Sequence, residues 1–594
     1  MENYEINEIL TWISKFSTCL KKNDDLGLKE LFHEDSFWRD IVSFTWNIKT
    51  AEGKDQILEM INKSLLNTNP IKWVTRDDLE LKNDVIGCSF DFQTNTLKGE
   101  GFIRLKHGKC WTLFTSALEL KGFEEKKNYS RPMGVEHGTN KSRKSWLEIK
   151  EEEESTLGLS KQPYCLIIGG GQGGIILAAR LRKINVPTIV IDKNKNPGDS
   201  WRNRYKSLCL HDVVWQNHLP YLPFPDDWPV FIPKDKMGDW LESYSKIMEL
   251  NYWVDTECIE AKYNQETQDW NVKVKRGGQT IELVPKQLVF ATGMSGVPNI
   301  PEVPGAHLFE GDIHHSSKHK DGSIYKGKNC VVLGSNNSAH DISANLWENG
   351  ANVTMVQRSP SMVVKSESLF RNSPYSESAE QKGISTHKVD MMDASLPWKL
   401  NAESSIEEWS AIQKTDSAFY EGLQKSGFLL EFGEDGTGLA TKYHRRGSGY
   451  YIDVGASELI INGDIKLFSG VTISEIGKNT IILSNEEEIK ADLIVYATGY
   501  KSMNSWISEL ISEDMAKKVG KCWGLGSDTK YDPGPWEGEL RNMWKPTQQP
   551  NLWFQGGNLQ QARYYSIALS LQIKARMEGV STPIFGLDIV YNYF

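Results

Sequence analysis

The hydrophobic pattern changes character twice along the chain. Near the N-terminus Ile6, Ile9, Leu10, Ile13, Phe16 and Leu20 recur every three or four positions, the spacing of one helix face. Beta-rich stretches follow, DVIGCSFDFQT at 84–94 and GEGFIRLKHGKCWTLFTSALEL at 99–120. Together they predict a small helix-plus-curved-sheet unit over 1–125. Residues 126–161, with KSRKSW and EEEEST, are polar and charged and read as a linker. From Tyr164 to Phe594 short β-branched runs alternate with helical segments, the habit of an α/β sheet domain.

Within that last region one pattern occurs twice. The first copy is YCLIIGGGQGGIILAARLRKINVPTIVID, residues 164–192. A strand ends at Ile168, Gly169, Gly171 and Gly174 satisfy GxGxxG, a helix runs to about Lys183, and a second strand finishes at Asp192. Gly169 permits the tight turn, Gly171 admits a pyrophosphate to the backbone, and Gly174 lets helix and strand pack closely. The helix N-terminus favours phosphate, and Asp192 is placed to accept from a ribose diol. The order strand, helix, strand, acid makes this a strong dinucleotide signal.

The second copy, NCVVLGSNNSAHDISANLWENGANVTMVQRS, carries Gly334, Asn336 and Ala339, with Ser338 in the same loop. Asn is the residue next best able to reach left-handed angles, although its side chain crowds the phosphate approach. The offset that separates Asp192 from Gly169 leads from Gly334 to Gln357, followed by Arg358. No carboxylate stands there to repel a 2′-phosphate, and a guanidinium is ready to bind one. NADP is expected at this second site and a diol-bearing adenosine at the first; the other reading of Arg358 is a surface ion pair. LVFATG ending at Gly293 and LIVYATGY, with Thr498 and Gly499, repeat each other after apolar strands. Their repetition fits one large nucleotide domain interrupted by a second.

Composition narrows the class. A hydrophobic fraction of 39% with 25% charged residues is too apolar for disorder, and a formal charge of −10 without basic blocks argues against nucleic acid. No apolar run approaches the roughly 18 residues of a membrane helix, and MENYEINEIL lacks the features of a secretion signal. Eight dispersed cysteines, none within four residues of another, exclude a CxxC pair and read as reduced thiols of a cytoplasmic protein. No His/Cys/Asp cluster has metal-ligand spacing. Between about Ser366 and Tyr450 there is no fingerprint, and Trp398, Trp409, Phe419, Tyr420, Phe428 and Phe432 read as core rather than pocket. Arg445 and Arg446 face either the NADP domain or solvent.

These residues resemble the class B flavin-dependent monooxygenases, which include the flavin-containing monooxygenases and the plant-type indole-pyruvate enzymes. The resemblance spans about Pro163 to Gly579. Its most specific segment is FEGDIHHSSKHK, where Phe309, Gly311, His315 and Lys320 fit the family pattern. His319 stands in the place of an aromatic residue, or of Trp in Baeyer–Villiger members. GDSWRNRY, with Trp201 and Arg204, is similar to a family segment near the flavin. In LHDVVWQNHLPYLPFPDDWP, His211 stands where N-oxygenating members often carry Asn. WFQGGNLQQARYYS, with Gly556 and Gly557, looks like the family's closing turn and helix over the flavin. At the N-terminus LFHEDSFWRDIVSFTW resembles the NTF2-like (SnoaL-like) fold.

The resemblance implies an α/β fold of two Rossmann-like dinucleotide-binding domains, for FAD and NADP, preceded by a small α+β NTF2-like domain. The expected division is 1–125, a linker 126–161, an FAD part 162–325, an NADP part 326–490 with a helical insertion about 366–450, and a second FAD part 491–594. It implies FAD and NADPH as cofactors, and a C4a-hydroperoxide formed with O2 that oxygenates a small organic substrate without any side-chain nucleophile. His211 and His315 are the candidates beside flavin and nicotinamide. Two alternatives stay open: a flavin-dependent reductase, which needs a dithiol, and a redox-sensing binding protein. His33 and Asp40 read as packing and pairing rather than catalysis, and the N-terminal unit as structural or as the seat of a homodimer.

Overall fold

A chain patterned in this way buries its apolar faces in three layered units. The computed structural model describes residues 2–65, 68, 72–76, 78–135, 137–371, 373–433, 435–529 and 532–587. In the first unit, helix Glu2–Lys22 lays Ile9, Trp12, Phe16 and Leu20 on a seven-stranded sheet. Its main path runs Ile48–Glu52, Phe32–Ile41, Lys109–Leu120, Leu97–Lys106, Val85–Gln93, Lys72–Thr75. Between helix and sheet sit Trp12, Phe16, Phe32, Trp38, Phe44, Trp73, Phe90 and Phe92, their rings packed edge-on and offset. Asp40 holds the following turn. One of its oxygens accepts from the N–H groups of Phe44 and Thr45 and from the Thr45 hydroxyl, the other from Thr115. His33 bonds the Lys106 carbonyl at 3.0 Å.

The sheet is apolar on both faces, because successive residues of a strand point opposite ways. Ile103 and Leu113 join the aromatic core, while Phe102 and Phe114 join the main core with Trp544, Tyr564 and Tyr565. The second face is therefore covered by this chain's own later segments. Arg39, also on it, is wholly buried and clasps Glu539 through two parallel bonds of 2.7 and 2.8 Å.

The charged stretch 126–161 carries, among its described residues, a single 3-10 turn at Asn128–Ser130 and the largely exposed α-helix Trp146–Thr156. Ser145 caps Glu148 N–H and Glu148 caps Ser145 in return, an S-x-x-E box that outweighs the missing apolar stripe.

Two five-stranded parallel sheets follow. The first runs Tyr252–Trp253, Thr188–Ile191, Cys165–Ile168, Gln287–Phe290, Leu552–Phe554. The second runs Asp312–His315, Leu493–Tyr496, Asn329–Leu333, Asn352–Gln357, Lys466–Ser469. The chain thus leaves the first sheet after Phe290, builds the second, and returns to lay Leu552 beside Leu288. Helix Leu559–Met577 then passes between the first sheet and the N-terminal unit. It buries Leu569 and Ile573 on one side and Tyr564, Tyr565, Ala568 and Leu571 on the other. In the insertion Trp398, Trp409, Phe419, Tyr420 and Phe428 are buried, as core residues are. Among the described residues no helix is long and apolar enough to cross a membrane.

Candidate functional site

The first crevice lies at the C-terminal end of Cys165–Ile168, where open α/β sheets bind ligands. Each glycine there answers a different demand. Gly169 is left-handed, φ +104°, and a Cβ on it would lie 2.5 Å from the Ala291 carbonyl oxygen. A Cβ on Gly174 would lie 2.0 Å from the Gly169 oxygen, so helix Gln172–Lys183 packs against the turn only without one. At Gly171 a Cβ meets nothing nearer than Ser200 at 3.9 Å, which leaves room for a phosphate against the backbone. Asp192 closes the second strand, accepting from Gly170 N–H at 2.8 Å and from Asn194. Trp201 donates to Gln172 at 3.1 Å in the helix's first turn.

The second crevice repeats this plan. Gly334, φ +131°, would bring a Cβ within 2.4 Å of the Ala497 oxygen. Both Ala-Thr-Gly segments thus run beside the first glycine of a phosphate turn, which accounts for their repetition. Asn336 is extended, φ −105°, so the expected need for left-handed angles is corrected: the position demands no glycine backbone. Its side chain accepts from Ser361 at 3.1 Å, and Ser361 also bonds Ser335 at 2.7 Å. Ser338 and the buried Ala339 follow in the helix's first turn. Gln357 is wholly buried and exchanges bonds of 2.8 and 2.9 Å with the Leu429 backbone, while Arg358 beyond it is exposed.

Several buried donors near the two Ala-Thr-Gly turns have no acceptor among the described residues: Arg204 Nε, Thr292 Oγ1, Tyr500 Oη and Trp506 Nε1. Arg204 lies over the Tyr500 ring at 5.9 Å, and Trp506 flanks Thr292 at Gly296. Desolvated donors of this kind call for an acceptor, and a pyrophosphate, ribose or flavin carbonyl supplies one. With the open space at Gly171, this donor set fits a dinucleotide.

Between the crevices Tyr205 donates to Asp341 at 2.6 Å, joining the first region to helix Asn337–Glu348. Burial raises the Asp341 pKa despite that bond and the nearby His211. Sequence reasoning passed over Asp341, yet a signal existed: at the matching place the first copy has Ile176. His211 lies edge-on to Tyr450 at 6.4 Å. His315 has both nitrogens engaged, Nδ1 accepting from Ser317 N–H at 3.2 Å and Nε2 on the Gly499 carbonyl at 3.0 Å. That pattern fixes the neutral form, and burial lowers its pKa. His319 lies 3.2 Å from His314 and is pushed by burial to about 4.

Over the first crevice the Gly556–Gly557 turn approaches the phosphate helix, with Gly556 Cα 3.5 Å from where a Gly173 Cβ would be. Asn558 caps helix Leu559–Met577 reciprocally with Gln561. Tyr443 takes the Asn558 N–H at 3.1 Å and lies 3.2 Å from Gln561 Oε1. His444 meets Gln561 at 3.0 Å, and its neighbour Arg445 pairs with Asp435. Among the described residues no group of three His, Cys, Asp or Glu is arranged for a metal.

Two five-stranded parallel sheets, each with a glycine turn at the end of a central strand, form a mixed α/β fold of Rossmann type. The sequence family described as pyridine nucleotide-disulphide oxidoreductase matches residues 166–407. The chain is 28% identical over 383 residues to a probable indole-3-pyruvate monooxygenase, YUCCA3, of Arabidopsis thaliana, across 63% of this chain and 79% of that protein. Indole-3-pyruvate monooxygenase YUCCA1 of Oryza sativa subsp. japonica is 29% identical over 355 residues, 58% of this chain and 79% of that one. Among solved structures, the open form of cyclohexanone monooxygenase shares the fold with a TM-score of 0.51 and 17% identity, covering 70% of this chain and 88% of that one. The chain is an oxidoreductase.

Proposed function

We propose that the protein is an NADPH-dependent flavoprotein monooxygenase acting on a small organic substrate with O2. Its cofactors are FAD and NADPH. The observation that carries the reading is the contrast between the crevices. The first ends its second strand in Asp192, suited to a ribose diol; the second ends in a locked Gln357 and an exposed Arg358, suited to a 2′-phosphate. Gly169, Gly171, Gly174, Asp192, Trp201 and Arg204, with Gly556 and Gly557, would hold FAD. Gly334, Asn336, Ser338, Ala339 and Arg358, with Thr498 and Gly499, would hold NADPH.

When bound in the first crevice, FAD would supply the redox chemistry of hydride acceptance and oxygen activation. The chain's own part is to bind, orient and exclude water. Tyr205 and Asp341 tie the first region to the second phosphate helix, and His211 lies near Asp341 and edge-on to Tyr450. His315, with both nitrogens engaged, braces the Gly499 turn rather than exchanging protons. Tyr443, Asn558 and Gln561 bond one another at the turn beside the first crevice. A disulfide reductase is disfavoured because all eight cysteines are single and seven are at least partly buried.

The purified protein is expected to be yellow and to bleach faster with NADPH than with NADH. Oxygen uptake is then followed across amines, sulfides, ketones and 2-oxo acids, with product identified. A folded but colourless protein rejects the reading. A yellow protein that oxidises NADPH without oxygenating any of the four classes favours the reductase.

A further inference from the structure

The N-terminal unit is tied to the rest of the chain by one contact with few parallels in the molecule. The Arg39 guanidinium, 2% exposed, gives Nε and Nη2 to the two oxygens of Glu539, Nη1 to the Ala394 carbonyl at 2.7 Å and Nη2 also to the Tyr565 hydroxyl at 3.1 Å. Glu539 accepts in turn from Thr50 at 2.7 Å and from Trp398 Nε1 at 3.2 Å. Arg39 also stacks between rings, 5.1 Å from Trp398 and 5.7 Å from Tyr565. Four of the five N–H groups of the cation and both acid oxygens are thus engaged. Docking alone does not require so complete a set.

The contact continues toward the first crevice. The Trp398 ring lies 4.0 Å from His444. His444 gives Nδ1–H to the Ala440 carbonyl, which leaves Nε2 to accept from Gln561 at 3.0 Å. Gln561 forms the reciprocal cap with Asn558, and the preceding Gly556 abuts the phosphate helix at Gly173. Five direct contacts, Arg39–Glu539, Glu539–Trp398, Trp398–His444, His444–Gln561 and Gln561–Asn558, therefore connect a side chain of the N-terminal sheet with the turn over the crevice.

We propose that Arg39 is a positioning residue: through Glu539, Trp398 and His444 the N-terminal unit sets the seat of the Gly556–Asn558 turn, and so the grip of the first crevice on its flavin. The inference rests on FAD as the occupant of that crevice. Spatial continuity alone is a weak warrant for coupling; here each link is a direct hydrogen bond or ring contact. Lys388 serves as the control. It ties the same unit to the body through Asp78 and Ser89 but does not touch the Glu539 network.

The test compares full-length wild type, R39M and K388M after confirming fold by near-ultraviolet circular dichroism. FAD affinity is measured by titrating stripped protein, alongside the visible flavin band. R39M is expected to weaken FAD binding by about tenfold, within the usual range of site-to-site coupling, and to shift the band. K388M is expected to lower the melting temperature and leave both flavin readouts unchanged. A cycle of R39M with H444F should be non-additive in FAD affinity. Should R39M not fold, R39K, which keeps the charge but loses the paired bonds, carries the same expectation. Wild-type flavin readouts in the Arg39 variant, or equal losses in K388M, overturn the inference. A colourless wild type overturns the FAD reading beneath it instead.

Discussion

Arg358 is exposed at the end of its strand, while the residue before it is locked to the Leu429 backbone. If Arg358 binds the 2′-phosphate as proposed, removing the guanidinium costs that charge-assisted contact and little of the fold. Arg358→Ala is expected to narrow the preference for NADPH over NADH by roughly ten- to a hundredfold, measured as the ratio of flavin reduction rates. An unchanged ratio would assign the residue to the surface. A second residue-scale expectation concerns pH. His340 is fully buried, stacked on Tyr451 at 3.9 Å, and burial pulls it from 6.5 to about 4. The unfolded chain takes up that proton first as pH falls. Stability is therefore full above about 6.5 and drains as pH drops toward 4. His340→Phe keeps a ring on Tyr451 and removes the titration, so its melting temperature should fall less between pH 7.5 and 5 than that of the wild type. Parallel slopes would contradict it.

At the scale of elements, the two phosphate turns are separable. Gly334→Ala forces a Cβ toward the Ala497 oxygen at a left-handed backbone position and should abolish reduction by NADPH while the protein stays yellow. Gly169→Ala, equally crowded by Ala291, should instead cost the flavin. Absorbance at the flavin band with and without NADPH distinguishes the two. These turns were legible in the sequence because Gly169, Gly174 and Gly334 are dictated by local backbone approach, which a spacing records. The helix at Trp146 was also written there, in Ser145 and Glu148, but a surface helix without an apolar stripe leaves only its cap as a sign. Illegible were the pairings that depend on the fold. Tyr205 with Asp341, Arg39 with Glu539 and Tyr443 with Asn558 join residues more than a hundred positions apart, and no local rule links such partners.

For the molecule as a whole, the N-terminal sheet is a layer of the main core rather than an appendage. Phe102 and Phe114 share a cluster with Tyr564 and Tyr565, and Arg39 reaches through that layer to Glu539. Glu539→Ala would leave a buried cation without its counter-ion, a change that costs about 3–5 kcal/mol. The expected result is a large drop in the denaturant midpoint, with Glu539→Gln intermediate because it keeps one acceptor. A midpoint unmoved by both would mean that water reaches Arg39.

The strand Leu552–Phe554 completes a sheet whose neighbouring strand, Gln287–Phe290, is made far earlier in synthesis. While the ribosome adds the intervening residues, at about 5–20 per second, Gln287–Phe290 has an unsatisfied side open to stray pairing. Release of nearly the full polypeptide is thus a precondition for sealing the sheet. A nonsense mutation upstream of Phe554 should yield insoluble material, however intact its glycine turns.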